Sequence, residues 1–188
     1  MYKILLFVTM SIITFSAVEA GQLAGIEVED QITNSNGAVL KLNGMGLREK
    51  LWIDVYVGSL YLPSPSHESS DVIEGAEPFR VRMDILYSEI TAKKLVAAWQ
   101  EGFEKNQSQA VLAKLAARIE QFNALFSDSA RKGDRILIDY VPSEGTRVIK
   151  NDKLLGTIEG EDFRKAVLAI WLGEAPADKA LKAGMLGE

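Results

Sequence analysis

The run Gly44-Met45-Gly46-Leu47-Arg48-Glu49-Lys50-Leu51-Trp52-Ile53-Asp54-Val55-Tyr56-Val57-Gly58-Ser59-Leu60-Tyr61-Leu62 constrains this chain more than any other stretch. From Leu51 to Leu62 it is dense in β-branched and aromatic residues, which suit a pleated, half-buried surface. Pro63 and Pro65 end it. A strand of that length needs neighbours, so the chain must build a sheet. Gly44 and Gly46 allow backbone conformations closed to other residues and predict a turn that delivers Arg48 to the head of the strand. A guanidinium followed by the phenols of Tyr56 and Tyr61 on an apolar strand can hold one anionic group of a mostly apolar ligand. The same pattern also suits a solvated strand-end charge and ordinary sheet aromatics.

The rest of the sequence reads as α+β. Gly25 to Asp30 and Ala38 to Asn43 alternate around Asn34-Ser35-Asn36-Gly37, which predicts a β-hairpin. Ser64 to Pro78 is a polar, proline-bounded loop with one helical turn at Asp71 to Glu74. Phe79 to Leu86 is a strand with Phe79, Val81, Met83 and Ile85 on one face and Arg80, Arg82 and Asp84 on the other. A helix follows from Ser88 to Asn106, then a second capped by Ser108, with Val111, Leu112, Leu115, Ile119, Phe122 and Leu125 as its apolar stripe. Past Lys132-Gly133-Asp134, three strands (135–141, 146–150 and 153–157) form a meander around Glu144-Gly145 and Asn151-Asp152. Phe163 to Leu172 and Pro176 to Ala183 are the last helices. Strands and helices are segregated, which favours an antiparallel sheet with helices on one face.

Lys3, the apolar run Ile4 to Ala17 and then Val18-Glu19-Ala20 follow the plan of a secretory signal, with cleavage expected after Ala20. The apolar run is short of the roughly 20 residues a membrane-spanning helix needs. The expectation is a periplasmic protein, residues 21–188 forming one domain, without stable membrane insertion once the signal is cleaved. Lys3 and Glu19 cancel, so the net charge of −5 also describes the processed chain. That balance offers no basic patch for phosphates and argues against nucleic acid as a partner. With no cysteine, the core must hold without disulfides.

The same composition excludes much chemistry. His67 is the single histidine, so zinc sites built from His and Cys lack ligands. His67-Glu68-Ser69-Ser70-Asp71 places Asp71 where a metalloprotease needs its second histidine. Gly44-Met45-Gly46 is followed by Glu49 where a dinucleotide fingerprint needs its third glycine. No cofactor is expected. The polar chemistry reduces to Arg48 with Tyr56, Tyr61 and Tyr87, and Lys94.

Gly44-Met45-Gly46-Leu47-Arg48, Val55-Tyr56-Val57-Gly58-Ser59-Leu60-Tyr61-Leu62, Tyr87-Ser88-Glu89 and Ala169-Ile170-Trp171-Leu172-Gly173 resemble the chalcone isomerase-like superfamily, in its bacterial exported branch. The resemblance implies an open-faced β-sandwich, an antiparallel sheet covered by a helical layer. It implies that Arg48 matches the arginine that positions the substrate phenolate in the isomerases, and Tyr87 the tyrosine that polarises the ketone. Other positions depart. Tyr56 and Ile170 stand where the isomerases carry threonines, Lys94 stands where they carry asparagine, and their pocket lysine has no clear counterpart, Arg80 and Arg82 being merely nearby. Arginine with a tyrosine at position 56 is similar instead to the fatty-acid-binding branch, where the two groups hold a carboxylate. The resemblance thus implies a small amphipathic carboxylate as ligand. Its alternatives are an intramolecular lyase acting on a chalcone-like enone and a non-catalytic partner-binding protein.

Overall fold

Alternating apolar residues build one sheet, and amphipathic helices cover one side of it. The computed structural model describes residues 21–188; the expected secretory segment, residues 1–20, lies outside the described residues. In chain order the first strands are β1 (Gly21–Leu23), β2 (Ile26–Val28), β3 (Gln31–Thr33), β4 (Val39–Lys50) and β5 (Ile53–Leu62). Then come α1 (Ser69–Glu74), β6 (Phe79–Ile85), β7 (Glu89–Ile90), α2 (Ala92–Asn106) and α3 (Gln109–Ala124). The chain closes with β8 (Ala130–Arg131), β9 (Arg135–Val141), β10 (Gly145–Lys150), β11 (Lys153–Ile158), α4 (Glu161–Leu172) and α5 (Lys179–Met185).

Seven strands pair antiparallel in the order β11-β10-β9-β6-β5-β4-β3. The period of two puts Tyr56, Leu60, Phe79, Val81, Met83, Ile136 and Ile138 on the helix side, in one core with residues of α2 to α5. An aromatic cluster joins the helices: Trp99 lies 5.5 Å from Trp171 and 5.3 Å from Phe126 between ring centroids, and Phe122 lies 5.6 Å from Phe163. Buried aromatic rings carry the largest apolar areas available to a side chain, so this cluster dominates the attachment of helix to helix. On the other side of the sheet, Val28, Leu40 and Tyr61 form a small second core, with the β1–β2 hairpin packed over it. Arg80, Arg82 and Asp84 face this second side, as the alternation predicts. Arg80 forks onto Asp139 with two bonds of 2.6 Å, and Arg82 onto Asp84 at 2.8 and 3.0 Å.

Several elements depart from the sequence expectation. Gly44 and Gly46 make no turn: β4 runs through them to Lys50. The glycines are there because α5 lies directly on the strand. A Cβ at Gly44 would sit 2.2 Å from the Gly184 carbonyl oxygen, and one at Gly46 would sit 2.4 Å from that of Leu181. Arg48 therefore lies near the end of β4 and not at the head of β5. The turn falls instead at Leu51–Trp52, both with positive φ (52° and 62°). The expected strand from Gly25 to Asp30 is split. Ile26–Val28 pairs with Gly21–Leu23, and Gln31–Thr33 supplies the partner of β4. The first long helix begins at Ala92, because Glu89–Ile90 is drawn into pairing with β8 and Thr91 accepts the Lys94 amide as the cap. The last helix begins at Lys179, where Asp178 caps it through the Leu181 amide at 2.9 Å.

A bulge at Asn43 puts these glycines and Arg48 on the helix side. Pairing of β4 with β5 shifts register between Leu42 and Gly44, so Leu42 keeps to the second core while Gly44 and Gly46 turn toward α5. The Asn43 amide is used fully. It donates to the Ser66 and Met185 carbonyls, both at 2.9 Å, and accepts from the Ser66 amide at 2.7 Å. His67 in the same loop reaches the Leu186 carbonyl with Nδ1 at 2.5 Å.

Candidate functional site

Arg48 and Tyr56 are cross-strand partners on the helix side of β4 and β5. Tyr56 is 5 % exposed, and its hydroxyl accepts a hydrogen bond from Trp171 Nε1 of α4 at 3.0 Å. With the lone pair so engaged, the phenolic hydrogen is free to be donated. Burial pushes Tyr56 up to about 12, against the opposing influence of Arg48 and of the Trp171 bond. The phenol is therefore neutral, and a donor, at any physiological pH.

Arg48 is half-buried and, among the described residues, forms no ion pair. Its Nη1 donates to the Ala177 carbonyl, in the connection that leads from α4 to α5. That carbonyl is set in place by main chain, since the Ala177 amide donates to the Ile170 carbonyl at 2.8 Å. The connection is pinned further by Asn106, which donates to the Ala175 carbonyl at 2.9 Å and accepts its amide at 3.0 Å. Asp178 lies close enough to raise the Tyr56 phenol, and its carboxylate is engaged as the cap of α5. The result is a guanidinium without a carboxylate, next to a neutral phenol aimed by an indole. Such a pair can grip a carboxylate with one charge-assisted bond from each group.

The remaining expected site residues are dispersed. Tyr87 is half-buried beside the same strand, its amide donating to the Val55 carbonyl at 3.1 Å, but no hydrogen bond joins it to Arg48 or Tyr56. Lys94 is exposed in the first turn of α2. The Ile170 side chain is packing: it fills the space left by Gly102, where a Cβ would meet it at 2.7 Å. Only its carbonyl bears on Arg48, through Ala177. Reading the sequence for site residues missed Trp171 and Ala177. Trp171 lies within Ala169–Gly173, but nothing in its spacing shows that its N–H reaches Tyr56 across the layers.

Two cavities lie away from this pair. One of about 450 Å³ is bounded by Ala92, Ser127, Asp128, Arg131, Asp134 and Lys150. Another, of about 310 Å³, lies on the second side of the sheet over Tyr61, Leu137 and Ile149, among Arg80, Arg82 and Arg135. Those arginines are all paired, with Asp139, Asp84 and Asp152. Among the described residues no group of three His, Asp or Glu side chains is placed to hold a metal ion, and no helix is long and apolar enough to cross a membrane.

Comparison with known proteins bears on the family and the fold. A family described as chalcone isomerase-like matches residues 20–187. No curated protein sequence matches the chain. Among solved structures, a fatty-acid-binding protein of Arabidopsis thaliana superposes with a TM-score of 0.71 at 20 % identity, covering 89 % of this chain and 96 % of that one. At that identity the likeness is one of fold.

Proposed function

From the premise that the chain belongs to the chalcone isomerase-like family, we propose that it is an exported binding protein for a small amphipathic carboxylate of fatty-acid type. The observation that carries this reading is the unpaired Arg48 guanidinium beside Tyr56, a phenol held neutral by burial and oriented by Trp171. A carboxylate cannot enter a dry layer unpaired, because desolvating its charge costs several kcal/mol. Arg48 and Tyr56 offset that cost, and each buried CH₂ of the tail adds about 0.8 kcal/mol. The match to a fatty-acid-binding protein of Arabidopsis supports the same ligand class. The Ala177 carbonyl takes one N–H of Arg48, and a guanidinium carries five, so donors remain for the ligand. Export rests on the Lys3-to-Ala20 pattern; mass spectrometry of the exported protein should find a mature chain starting at Gly21.

Calorimetric titration of a long-chain acid and its methyl ester against wild type and Arg48→Ala tests the binding role. The Arg48→Ala change should weaken the acid by about 1.5–3 kcal/mol, the usual worth of a hydrogen bond to a charged group. The ester should bind wild type more weakly than the acid and lose little further in the variant, since a neutral ester offers Arg48 no charge to stabilise. Equal binding of acid and ester to wild type would refute carboxylate recognition by Arg48.

A further inference from the structure

The hairpin joining β4 and β5 overhangs the sheet. Pairing of β5 with β6 ends at Tyr56 opposite Ile85, whereas β4 and β5 continue together through Glu49–Asp54 to Lys50–Ile53. The two-stranded overhang ends in Leu51 and Trp52, the two most solvent-exposed large apolar residues described. Trp52 is 93 % exposed, Leu51 77 % and Ile53 47 %.

The backbone makes this choice of residues costly. A two-residue hairpin turn with both φ positive is the geometry that Asn-Gly and Asp-Gly adopt most readily, and bulky side chains are outliers there. Leu51 and Trp52 give up that local preference and bury little in return. Folding therefore does not explain them.

The charge around the tip differs from that of the whole chain. Lys50 belongs to the hairpin. The amides of Leu86 and Tyr87, which donate to the Val55 carbonyl, bring the segment leading to Lys93 and Lys94 to the same end of the sheet, and the Lys132 amide donates to the Ser88 carbonyl. Among the described residues none of these four lysines forms an ion pair. Glu89, Glu101 and Asp134, which share this region, are engaged by Arg131, Lys105 and Lys150. The unpaired negative charge is carried by Asp128, beside Ala92 and Arg131, and by Glu49 and Asp54, one residue pair back from Lys50 and Ile53.

We propose that the Leu51–Trp52–Ile53 tip inserts into the surface of an anionic lipid bilayer. A protein partner of ordinary affinity needs about 800 Å² from each side, more than a two-residue tip offers, while acyl chains can surround a projecting wedge. Apolar residues with unpaired lysines at the same end of the sheet are the combination that binds an anionic interface. Glu49 and Asp54 set the limit of insertion, just behind the apolar residues. Arg48 stands close behind that limit, so docking would bring the carboxylate-binding pair next to the source of an amphipathic ligand. The proposal itself stands on the hairpin and does not need that ligand.

Trp52 is its own probe, because Trp99 and Trp171 are buried. The full chain is mixed with phosphatidylcholine vesicles with and without phosphatidylglycerol, alongside a Leu51→Asn/Trp52→Gly variant with the same N-terminus. With phosphatidylglycerol present, exposed-tryptophan emission should shift to the blue and be quenched by brominated acyl chains, and phosphatidylcholine alone should give a weaker response. The variant should partition about tenfold less or worse, from the loss of two apolar side chains. Its thermal midpoint should rise by about 2–6 °C, because it restores the preferred turn. An unshifted Trp52 emission, or a variant that sediments with the vesicles as wild type does, overturns the proposal. Self-association abolished by the variant, without any vesicle effect, assigns the tip to a second copy and overturns it equally.

Discussion

Gly46→Ala is the substitution that most sharply tests how α5 sits on the sheet. The added methyl would lie 2.4 Å from the Leu181 carbonyl oxygen, 2.7 Å from its Cα and 2.9 Å from its carbonyl carbon. All three are backbone atoms, so no rotamer change relieves the overlap. Restoring an ordinary contact of about 3.4 Å needs α5 to retreat by roughly 1 Å. The helix holds Leu181 and Met185, both fully buried, and each is worth about 1.5–3 kcal/mol when removed from water. Complete release would thus cost about 3–6 kcal/mol, while overpacking with partial adjustment costs about 1–3. The expected loss is about 2–3 kcal/mol, read as a lower urea midpoint with unchanged slope. Gly133→Ala is the control. Nothing lies within 4 Å of its would-be Cβ and its φ is +90°, so only the left-handed backbone is penalised, by about 1–2 kcal/mol. A Gly46→Ala protein within about 0.5 kcal/mol of wild type, inside the range of an ordinary surface change, would show that α5 is not seated on β4 as described.

Two further outcomes follow from buried polar groups. Asp139 is 1 % exposed and receives both bonds of Arg80; Asp139→Asn leaves that guanidinium without its charge partner and should cost about 3 kcal/mol in urea unfolding, whereas no change would mean the pair is solvated. Tyr56 and Tyr61 are both pushed up to about 12 by burial, so the folded state keeps protons that the unfolded state releases near pH 10. Stability present below pH 10 should therefore fall as pH rises through 12. Tyr56 contributes about 2–3 kcal/mol of that fall, at 1.36 kcal/mol per unit, and Tyr56→Phe should flatten the alkaline limb; an identical limb in the variant would contradict a buried neutral phenol.

Much of the layout was legible because local signals agreed with the tertiary structure. Phe79 to Ile85 shows its two faces in plain alternation, Ser108 caps α3 as its position suggests, and Asn151-Asp152 turns the last hairpin. The glycines at 44 and 46 were misleading for a definite reason. A glycine needed for positive φ and one needed for the close approach of another backbone look alike in sequence, and the second kind is decided by α5, more than 130 residues away. Leu51–Trp52 has the composition of strand, while the turn there runs against residue preference. At the candidate site, Arg48 and Tyr56 stand out by residue type, but their pairing across β4 and β5 does not, because the sequence pattern puts Arg48 at the head of the strand that carries Tyr56. The bond from Trp171, the Ala177 carbonyl on Arg48 and the wholly buried Arg164, which rests on the Tyr140 ring at 5.3 Å and donates to the Ile73 carbonyl, do not stand out either. Each depends on contacts between layers that no local period encodes.

The central claim is that Arg48 and Tyr56 together receive a carboxylate, and a crystal structure with a bound long-chain acid tests it most directly. The account predicts carboxylate oxygens within about 2.7–3.2 Å of the Arg48 guanidinium and the Tyr56 hydroxyl. The Trp171 bond to the Tyr56 hydroxyl should be kept. An acid bound among Arg80, Arg82 and Arg135 on the second side of the sheet would contradict it.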